Sequence, residues 1–415
     1  MRALLVLLVA ASVTTAATAG DWPQFRGPTG DGRSPAMNPP STWTDTENVV
    51  WKTPIHDKGW SSPVILGDQV WMTTATEEGK AMFAVCVDRA TGKVIHDLKL
   101  FTPKDPPNTK SFNSFASPTP VLEAGRAYVH FGSFGTACLD AKTGKVLWKR
   151  DTGELPCDHF RNPASSPILW KNLLLLTFDG FDFQYVAALD KDTGKTVWKE
   201  DRDIKYKDQK NGDIKKAYST PSLFEIDGKP QLVSPSAEQT IAYDPATGKE
   251  LWRVSHGGMN QACKPVLTDG LIVLSTGHTS GMLAVKAGRT GLLSKADIAW
   301  SHPKDGPTRP SVIADKGHLY FVTDRGIAHC VEAKTGKAKW EKRLDGAFSA
   351  SPVLADGLLY FCGENGKTFV AKANPKEYEE VAVNRLPDGC RASPAILDDG
   401  IYLRTLTHLY KIGKK

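Results

Sequence analysis

Short apolar segments recur along the chain, and each follows a small polar residue or a cation that lies near a proline. Each segment reaches a turn with glycine or aspartate and continues in a second apolar segment, as in residues 358–361. Runs of this length bounded by turn residues are typical of β-strands. The pattern therefore predicts eight units, each beginning with two antiparallel strands, a and b. The openings are at Ser62, Ser117, Ser166, Thr220, Lys264, Arg309, Ser351 and Ser393.

A second motif, Asp-x-x-Thr-Gly-Lys, alternates with these openings and joins two further strands, c and d, in each unit. Its copies lie 43 to 54 residues apart, the length of a four-stranded propeller blade. In this Thr-Gly turn, aspartate can accept backbone N–H bonds and glycine can adopt the positive φ of a bulged hairpin. The copies begin at Asp88, Asp140, Asp190, Asp244, a degenerate Gly288, and Glu332.

A tryptophan follows the motif on strand d in five of the six copies, and His96 takes its place in the first. One blade cannot bury both of its faces alone, and an indole offers a broad apolar surface to the next blade. We therefore expect these side chains to dock blade against blade rather than to stack on a cofactor. With Trp51, the expected docking residues are Trp148, Trp198, Trp252, Trp300 and Trp340.

The last opening, at Ser393, leaves room for only three strands. The missing outer strand can come from residues 48–53, whose Trp51 matches the docking tryptophans. Closure of this kind removes open sheet edges. The sequence predicts an all-β fold, an eight-bladed β-propeller of four-stranded antiparallel blades whose last blade is closed by the N-terminal strand. The expected divisions are a signal peptide at 1–19, an N-terminal arm packed on the propeller at 20–47, and the propeller at 48–415.

The first 19 residues have the features of a cleaved signal peptide, with Arg2, an apolar stretch and an Ala17-Thr18-Ala19 cleavage site. No cysteine stands at the cleavage point, so no lipid anchor is expected there. No later apolar run approaches the ~20 residues of a transmembrane segment. The net charge of +6 is mild, and no dense basic patch indicates nucleic-acid binding. We expect a periplasmic or secreted protein.

The seven cysteines show no Cys-x-x-Cys spacing, so neither zinc nor dithiol chemistry is indicated. Cys86, Cys138 and Cys330 precede the Thr-Gly turns at equivalent positions, which favours a role as small core residues. Cys157, Cys263 and Cys390 lie where the chain enters a new blade. One pair of these could meet across the ring, and the sequence does not choose among them.

The repeat (Ala/Cys)-(Leu/Val)-Asp-x-x-Thr-Gly-Lys-x-x-Trp resembles that of the pyrroloquinoline quinone (PQQ)-like propellers, over about residues 48–415. That superfamily includes quinoprotein alcohol dehydrogenases and the non-catalytic propeller subunit of the outer-membrane β-barrel assembly machinery. The resemblance implies the propeller fold, which hosts unrelated functions. In the dehydrogenases, an adjacent cysteine pair covers the quinone and a Glu/Asn/Asp set holds calcium near a catalytic aspartate.

This chain has no adjacent cysteines and is shorter than typical dehydrogenase members. We therefore expect no cofactor, with PQQ and calcium as the alternative. No other catalytic motif is present, and the ten histidines are scattered. Asp179 and Asp182 flank Gly180 in a loop and could contribute to a calcium site, but two carboxylates are far short of a full oxygen cage. We expect neither a catalytic residue nor a metal site.

Any ligand site is expected on the top face, where the d-to-a and b-to-c loops gather around the channel mouth. Four cations in the list below would form a cationic funnel suited to carboxylate or phosphate groups. Alternatively, they bond strand-end carbonyls or neighbouring loops. Two long d-to-a loops, 102–115 and 202–217, could form a partner-binding rim. The candidate residues are Trp60, Asn113, Arg161, Tyr218, Lys264, Arg309, Phe348 and Arg391.

The favoured function is an exported, non-catalytic binding or assembly module that recognises a protein or peptide partner on the top face. One alternative is a PQQ- and calcium-dependent quinoprotein oxidoreductase acting on alcohols or sugars. Another is a carbohydrate-binding propeller, for which Trp60, Tyr218 and Phe348 would be the stacking platforms.

Overall fold

The computed structural model describes residues 20–106, 113–151, 153–158, 162–279 and 281–413. Across these residues the chain forms eight blades of antiparallel strands arranged as a β-propeller. The predicted fold class is confirmed, and so is closure of the last blade by the N-terminal strand. No helix in the described parts of the chain is long and apolar enough to cross a membrane.

Two strands precede the first complete blade, and three short 3-10 helices lie in loops. The strands before the first blade are β1 (Arg33–Ser34) and β2 (Val49–Pro54). Blade 1 has β3 (Val64–Leu66), β4 (Gln69–Ala75), β5 (Met82–Asp88) and β6 (Val94–Phe101). Blade 2 has β7 (Val121–Glu123), β8 (Arg126–His130), β9 (Gly135–Asp140) and β10 (Val146–Asp151). Blade 3 has β11 (Ile168–Trp170), β12 (Leu173–Asp179), β13 (Gln184–Asp190) and β14 (Thr196–Asp201). Blade 4 has β15 (Ser222–Ile226), β16 (Lys229–Pro235), β17 (Gln239–Tyr243) and β18 (Glu250–Ser255).

The second half of the ring repeats this plan. Blade 5 has β19 (Val266–Thr268), β20 (Leu271–Ser275), β21 (Met282–Lys286) and β23 (Ile298–His302), with β22 (Gly291–Leu292) between the last two. Blade 6 has β24 (Ile313–Asp315), β25 (His318–Val322), β26 (Ile327–Glu332) and β27 (Ala338–Arg343). Blade 7 has β28 (Val353–Ala355), β29 (Leu358–Cys362), β30 (Lys367–Lys372) and β31 (Glu380–Arg385). Blade 8 has β32 (Ala395–Leu397), β33 (Gly400–Arg404) and β34 (His408–Ile412). The 3-10 helices are Gly212–Lys215, Gly277–Thr279 and Lys295–Asp297.

The N-terminal strand β2 closes blade 8 by antiparallel pairing with β34, where Trp51 lies opposite Lys411. Two other additions depart from the four-stranded plan. Strand β1 pairs in parallel with β28, on the inner edge of blade 7. Strand β22, which follows the degenerate turn at Gly288, pairs in parallel with β18 and covers the outer edge of blade 4. The degenerate copy thus joins two blades.

Most docking tryptophans contact the turn between strands c and d of the following blade, which has the Thr-Gly motif in blades 1, 3, 4 and 6. The Trp148 indole N–H donates to the Lys191 carbonyl over 2.8 Å. The ring lies so close to Gly194 that a Cβ there would be 2.6 Å from it, and that glycine has a φ of 72°. Trp252 differs, because it donates to Gln231 within its own blade. The remaining bonds join Trp51 to Arg89, Trp198 to Pro245, Trp300 to Ala333 and Trp340 to Asn374.

A belt of hydroxyl groups surrounds the channel at the start of the innermost strands. In this hydroxyl belt, a backbone N–H of one blade donates to the hydroxyl of the next over 2.9 to 3.0 Å. Two of the predicted openings lie two residues before the belt position. In blades 2 and 6 the belt residues are Thr119 and Ser311, not the predicted Ser117 and Arg309. The belt hydroxyls belong to Ser62, Thr119, Ser166, Thr220, Ser311, Ser351 and Ser393.

The N-terminal arm lies across the bottom of the channel. Trp22 is buried and exchanges two backbone bonds with Ile65 of blade 1. The Arg26 guanidinium donates to the carbonyls of Val312 and Pro352, in blades 6 and 7. The arm therefore contacts opposite sides of the ring.

The seven cysteines all lie in the described residues, and all are buried and free of disulfides. No pair among Cys157, Cys263 and Cys390 is bonded, so the expected possibility of a cross-ring disulfide is not realised. Burial raises the pKa of Cys86 and of Cys263 well above the usual range of a thiol. These groups pack as small apolar side chains.

Candidate functional site

A chain of alternating charges crosses the top face from blade 6 to blade 8. Arg309 Nε lies 2.5 Å from Asp324 Oδ1, and its Nη1 lies 3.1 Å from Glu364 Oε1. The other carboxylate oxygen of Glu364 lies 2.9 Å from Arg391 Nη2. We call these four residues the mouth network. Each arginine is about one quarter to one third exposed, so the network lines the mouth without being sealed from water.

The mouth network corrects the expectation of a cationic funnel. Arg309 and Arg391 do lie on the same face, but Asp324 and Glu364 neutralise them. Each carboxylate follows its strand b by two residues, Asp324 after Val322 and Glu364 after Cys362. That shared position is the sequence signal by which they could have been found.

Of the other two expected funnel cations, the described residues include only Lys264, and it does not join the mouth network. Lys264 occupies the hydroxyl-belt position of blade 5 and is only 6% exposed. Arg161 lies outside the described residues. Lys264 and the two mouth arginines therefore occupy different levels of the channel.

Trp60 and Arg391 meet at the junction of blades 8 and 1. The guanidinium carbon of Arg391 lies 5.2 Å from the centroid of the Trp60 ring, and Lys58 Nζ lies 5.6 Å from it. A cation within about 6 Å of an aromatic face is attracted by the ring quadrupole. Trp60 is thus engaged by the cations of its own chain.

The remaining expected site residues are divided between loops and core. Asn113 accepts a 2.5 Å bond from Ser117 and donates to the carbonyl of Asn162, so it joins two loops of the top face. Tyr218 is half-buried, and its backbone N–H donates to the Gln261 carbonyl. Phe348 is completely buried in the core between blades 6 and 7, which overturns its expected role as a stacking platform. Its ring has no face available to a sugar.

Asp179 is not a calcium ligand in this structure but half of a buried ion pair. Its carboxylate lies 2.6 Å from Arg202 Nε and accepts from Arg202 Nη2 over 2.7 Å. Ser236 donates to the same carboxylate. Burial raises the pKa of Asp179, and the adjacent guanidinium opposes that shift. Asp182 instead accepts the backbone N–H groups of residues 158 and 183.

Within the described residues, the top-face carboxylates that could contribute to a calcium site are engaged by cations of the chain itself. The mouth carboxylates, Asp324 and Glu364, are both bonded to arginine, and Asp179 is sealed by Arg202. Within the described residues, no three His, Cys, Asp or Glu side chains are grouped so that they could hold a metal ion.

Two exposed phenylalanines form a feature of the top face that the sequence reasoning missed. Phe181 and Phe183 lie in the b-to-c loop of blade 3 and are 40% and 48% exposed. Phe181 also packs against Gly212 in the long 202–217 loop, where a Cβ would be 2.4 Å from the ring. We call this pair the phenylalanine rim. Its sequence signal is the Phe-x-Phe in this loop; the b-to-c loop of blade 2 also has two phenylalanines, but Phe131 and Phe134 are buried.

The repeats match the family described as outer membrane protein assembly factor BamB over residues 42–180, 182–309 and 287–376. Among solved structures, BamB from Moraxella catarrhalis is similar with a TM-score of 0.60 and 11% identity, over 88% of this chain and 99% of that one. Quinohemoprotein alcohol dehydrogenase from Comamonas testosteroni has a TM-score of 0.69 and 13% identity, over 95% and 81%. The computationally designed Ika8 protein has a TM-score of 0.57 and 12% identity, over 86% and 97%.

At these identities the structural likeness shows the fold alone, and a designed protein is among the similar structures. No curated protein sequence matches the chain.

Proposed function

Because the chain belongs to the PQQ-repeat family described as outer membrane protein assembly factor BamB, we propose that it is an exported, non-catalytic propeller that binds a polypeptide partner on its top face. The location rests on the signal peptide expected at residues 1–19 and is periplasmic or extracellular. The proposed binding surface comprises the phenylalanine rim and the neighbouring loops.

The phenylalanine rim is the observation that carries this proposal. Aromatic side chains are enriched at protein interfaces and dominate their energetics when a partner covers them. Phe181 is held in place from one side by Gly212, so little conformational freedom is lost when its other side is covered. Two adjacent, half-exposed rings in a propeller loop are a suitable anchor for a polypeptide.

The mouth network would contribute specificity rather than affinity. Its charges alternate in sign across three blades, and charge patterns of this kind select partners with complementary groups. Binding an isolated anion there would require breaking an arginine–carboxylate pair. A polypeptide with polar groups of both signs matches the network better than a small anion does.

The mouth geometry disfavours the two rival functions. A quinone with calcium would need Asp324 or Glu364 to exchange its arginine for the metal. A sugar platform would need open aromatic faces, whereas Trp60 is engaged by Arg391 and Phe348 is buried. Among the described residues, the phenylalanine rim is the aromatic surface that stays exposed.

Site-specific photocrosslinking tests the proposal directly. A photoreactive amino acid replaces Phe183 and, as a matched control, Val197, which is equally exposed on the outer strand of the same blade. The protein is expressed with its native export segment and irradiated in intact cells. We expect a discrete protein adduct from position 183 and none from position 197.

Two results would contradict the proposal. One is a crosslinking result without selectivity, either no adduct from position 183 or adducts of equal yield from positions 183 and 197. The other is tight calorimetric binding of PQQ with calcium, accompanied by dye reduction with alcohols or sugars, which would make the protein a compact quinoprotein.

A further inference from the structure

The hydroxyl belt is interrupted once, at the junction of blades 4 and 5. Seven blades have serine or threonine two residues before the innermost strand, whereas blade 5 has Lys264 there. Lys264 still donates its backbone N–H to Ser311 over 3.0 Å, so the backbone keeps its place in the ring. In the described residues, only its side chain departs from the repeat.

The Lys264 side chain extends from the belt toward the N-terminal arm. A Cβ on Gly30 would lie 2.4 Å from Nζ, so the ammonium group lies directly against the arm backbone. Lys264 is 6% exposed, and among the described contacts its ammonium group makes no hydrogen bond and no ion pair. A lysine buried to this extent without an ion pair is rare, because burial of an uncompensated charge is unfavourable.

A second buried cation lies beside it. Arg26 is 1% exposed, and its Nη2 donates to carbonyl oxygens, of which Asp31 O is 2.6 Å and Val312 O is 2.9 Å away. Its Nε is buried without a partner among the described groups. Gly30 and Gly32, which contact Lys264 and Arg26 respectively, are separated by one residue. The two cations thus flank the same tripeptide.

Among the described residues, no carboxylate forms an ion pair with Lys264 or Arg26. The nearest one, Asp31, accepts instead from Thr29 Oγ1 over 2.6 Å and from the backbone N–H of Arg33 over 3.0 Å. Burial lowers the pKa of Lys264 to about 7, and the positive charge of Arg26 adds to that shift. Burial also lowers the pKa of Arg26 to about 10. Burial is the main cause of both shifts, and the charge of the Asp31 carboxylate opposes each of them without cancelling it.

We propose that the junction of Lys264, Arg26 and residues 30–32 of the arm is a binding site for a small oxyanion such as sulfate or phosphate. The anion would accept hydrogen bonds from Lys264 Nζ and from the unpartnered Nε of Arg26. Hydrogen bonds between ionised groups are about twice as strong as neutral ones. Since one cation comes from the ring and the other from the arm, the bound anion also fastens the arm to the channel.

Sulfate is the probe of choice, because its charge does not change between pH 6 and pH 9. Thermal unfolding of the full exported chain is measured at pH 6 against sodium sulfate, with sodium chloride matched in ionic strength. The test variant is Lys264→Met, which keeps the volume and removes the charge. The matched control is Lys93→Met, an exposed lysine of a Thr-Gly turn.

We expect a saturable rise of Tm with sulfate in the wild type and in Lys93→Met. In Lys264→Met we expect only the gradual, non-saturating rise of Tm that sulfate causes by its exclusion from protein surfaces. The wild-type affinity should fall as pH rises above about 7, by up to tenfold per pH unit, because the anion requires protonated Lys264. Equal sulfate responses in wild type and Lys264→Met would overturn the proposal.

A second measurement does not depend on any variant. Wild-type crystals grown with selenate, an anomalously scattering analogue of sulfate, should show one peak between Lys264 and Arg26. The absence of a peak there, in crystals that show selenate elsewhere, would also overturn the proposal. Neither measurement involves a polypeptide partner, so the site stands or falls independently of the proposed function.

Discussion

On the bottom face of the ring the same contact recurs from blade to blade, whereas on the top face each loop has its own partners. A tryptophan of one blade covers the Thr-Gly turn of the next, as Trp148 covers Gly194. Above, the same structural positions hold an alternating charge network, a buried ion pair or exposed phenylalanines. The regular contacts account for the ring, and the irregular ones distinguish one blade from another.

The strongest test of this contrast is removal of one repeated contact. Trp300→Ala should lower the free energy of unfolding by about 3 to 5 kcal/mol, because a buried indole and its bond to Ala333 are lost together. Urea unfolding followed by fluorescence measures the change. Trp300→Phe, which keeps most of the apolar surface, is the control and should lower the free energy of unfolding by less. Equal losses in the two variants would show that the apolar surface of the aromatic side chain contributes little.

The buried ion pair tests whether an irregular top-face feature can matter as much as a repeated one. Asp179→Asn leaves Arg202 charged and buried without its counterion, and we expect a loss of about 3 kcal/mol or more. The same urea experiment measures it. The control is the double variant Asp179→Asn with Arg202→Met, which removes the uncompensated charge and should recover part of the stability; no recovery would contradict the charge explanation.

A smaller effect is expected from the hydroxyl belt. Ser351→Ala removes the acceptor of the Ser311 backbone N–H and should cost about 1 to 3 kcal/mol, because a buried donor loses its partner. Ser351→Thr serves as the control, since Thr119 and Thr220 already occupy this position in other blades. Hydrogen exchange of the Ser311 amide measures the change locally. Unaltered protection in Ser351→Ala would contradict a stabilising role for this hydrogen bond.

The smallest effect on stability is expected at the phenylalanine rim. Phe183→Ala removes a ring that is 48% exposed and should change the free energy of unfolding by no more than about 0.5 kcal/mol. The same variant should lose the partner contact detected by photocrosslinking at a neighbouring rim position. A large loss of stability would instead assign the rim to the scaffold and remove the main support for the proposed function.

The fold could be predicted from the sequence because each blade repeats the same local signals. With eight openings and six Thr-Gly turns, one irregular copy does not obscure the repeat. The degenerate turn at Gly288, which leads into the additional strand β22, is such a copy. The strand that closes blade 8 could be found for the same reason, since Trp51 repeats the docking position.

The site was less accessible to sequence reasoning, because its residues are defined by contacts across blades. Arg309 precedes a proline, as do most residues that open a blade, so the sequence pattern selected Arg309. The hydroxyl-belt position of blade 6 is instead occupied by Ser311. Phe348 stands where a loop residue was expected, but its ring turns into the core. The partners of Arg309 and Asp179, namely Glu364 and Arg202, are set by the folded ring and not by local spacing.

The arm has a consequence for how this protein can evolve. Genes built from repeats readily gain or lose a unit by unequal recombination, and a bare ring would tolerate such changes. Here residues 22–34 are bonded in succession to blades 1, 2, 6, 7 and 8, through the backbone at Ile65 and Leu122 and then Val312, Leu354 and Ile396. A seven- or nine-bladed descendant would place those groups at the wrong separations. The arm therefore acts as a ruler that fits only a ring of eight.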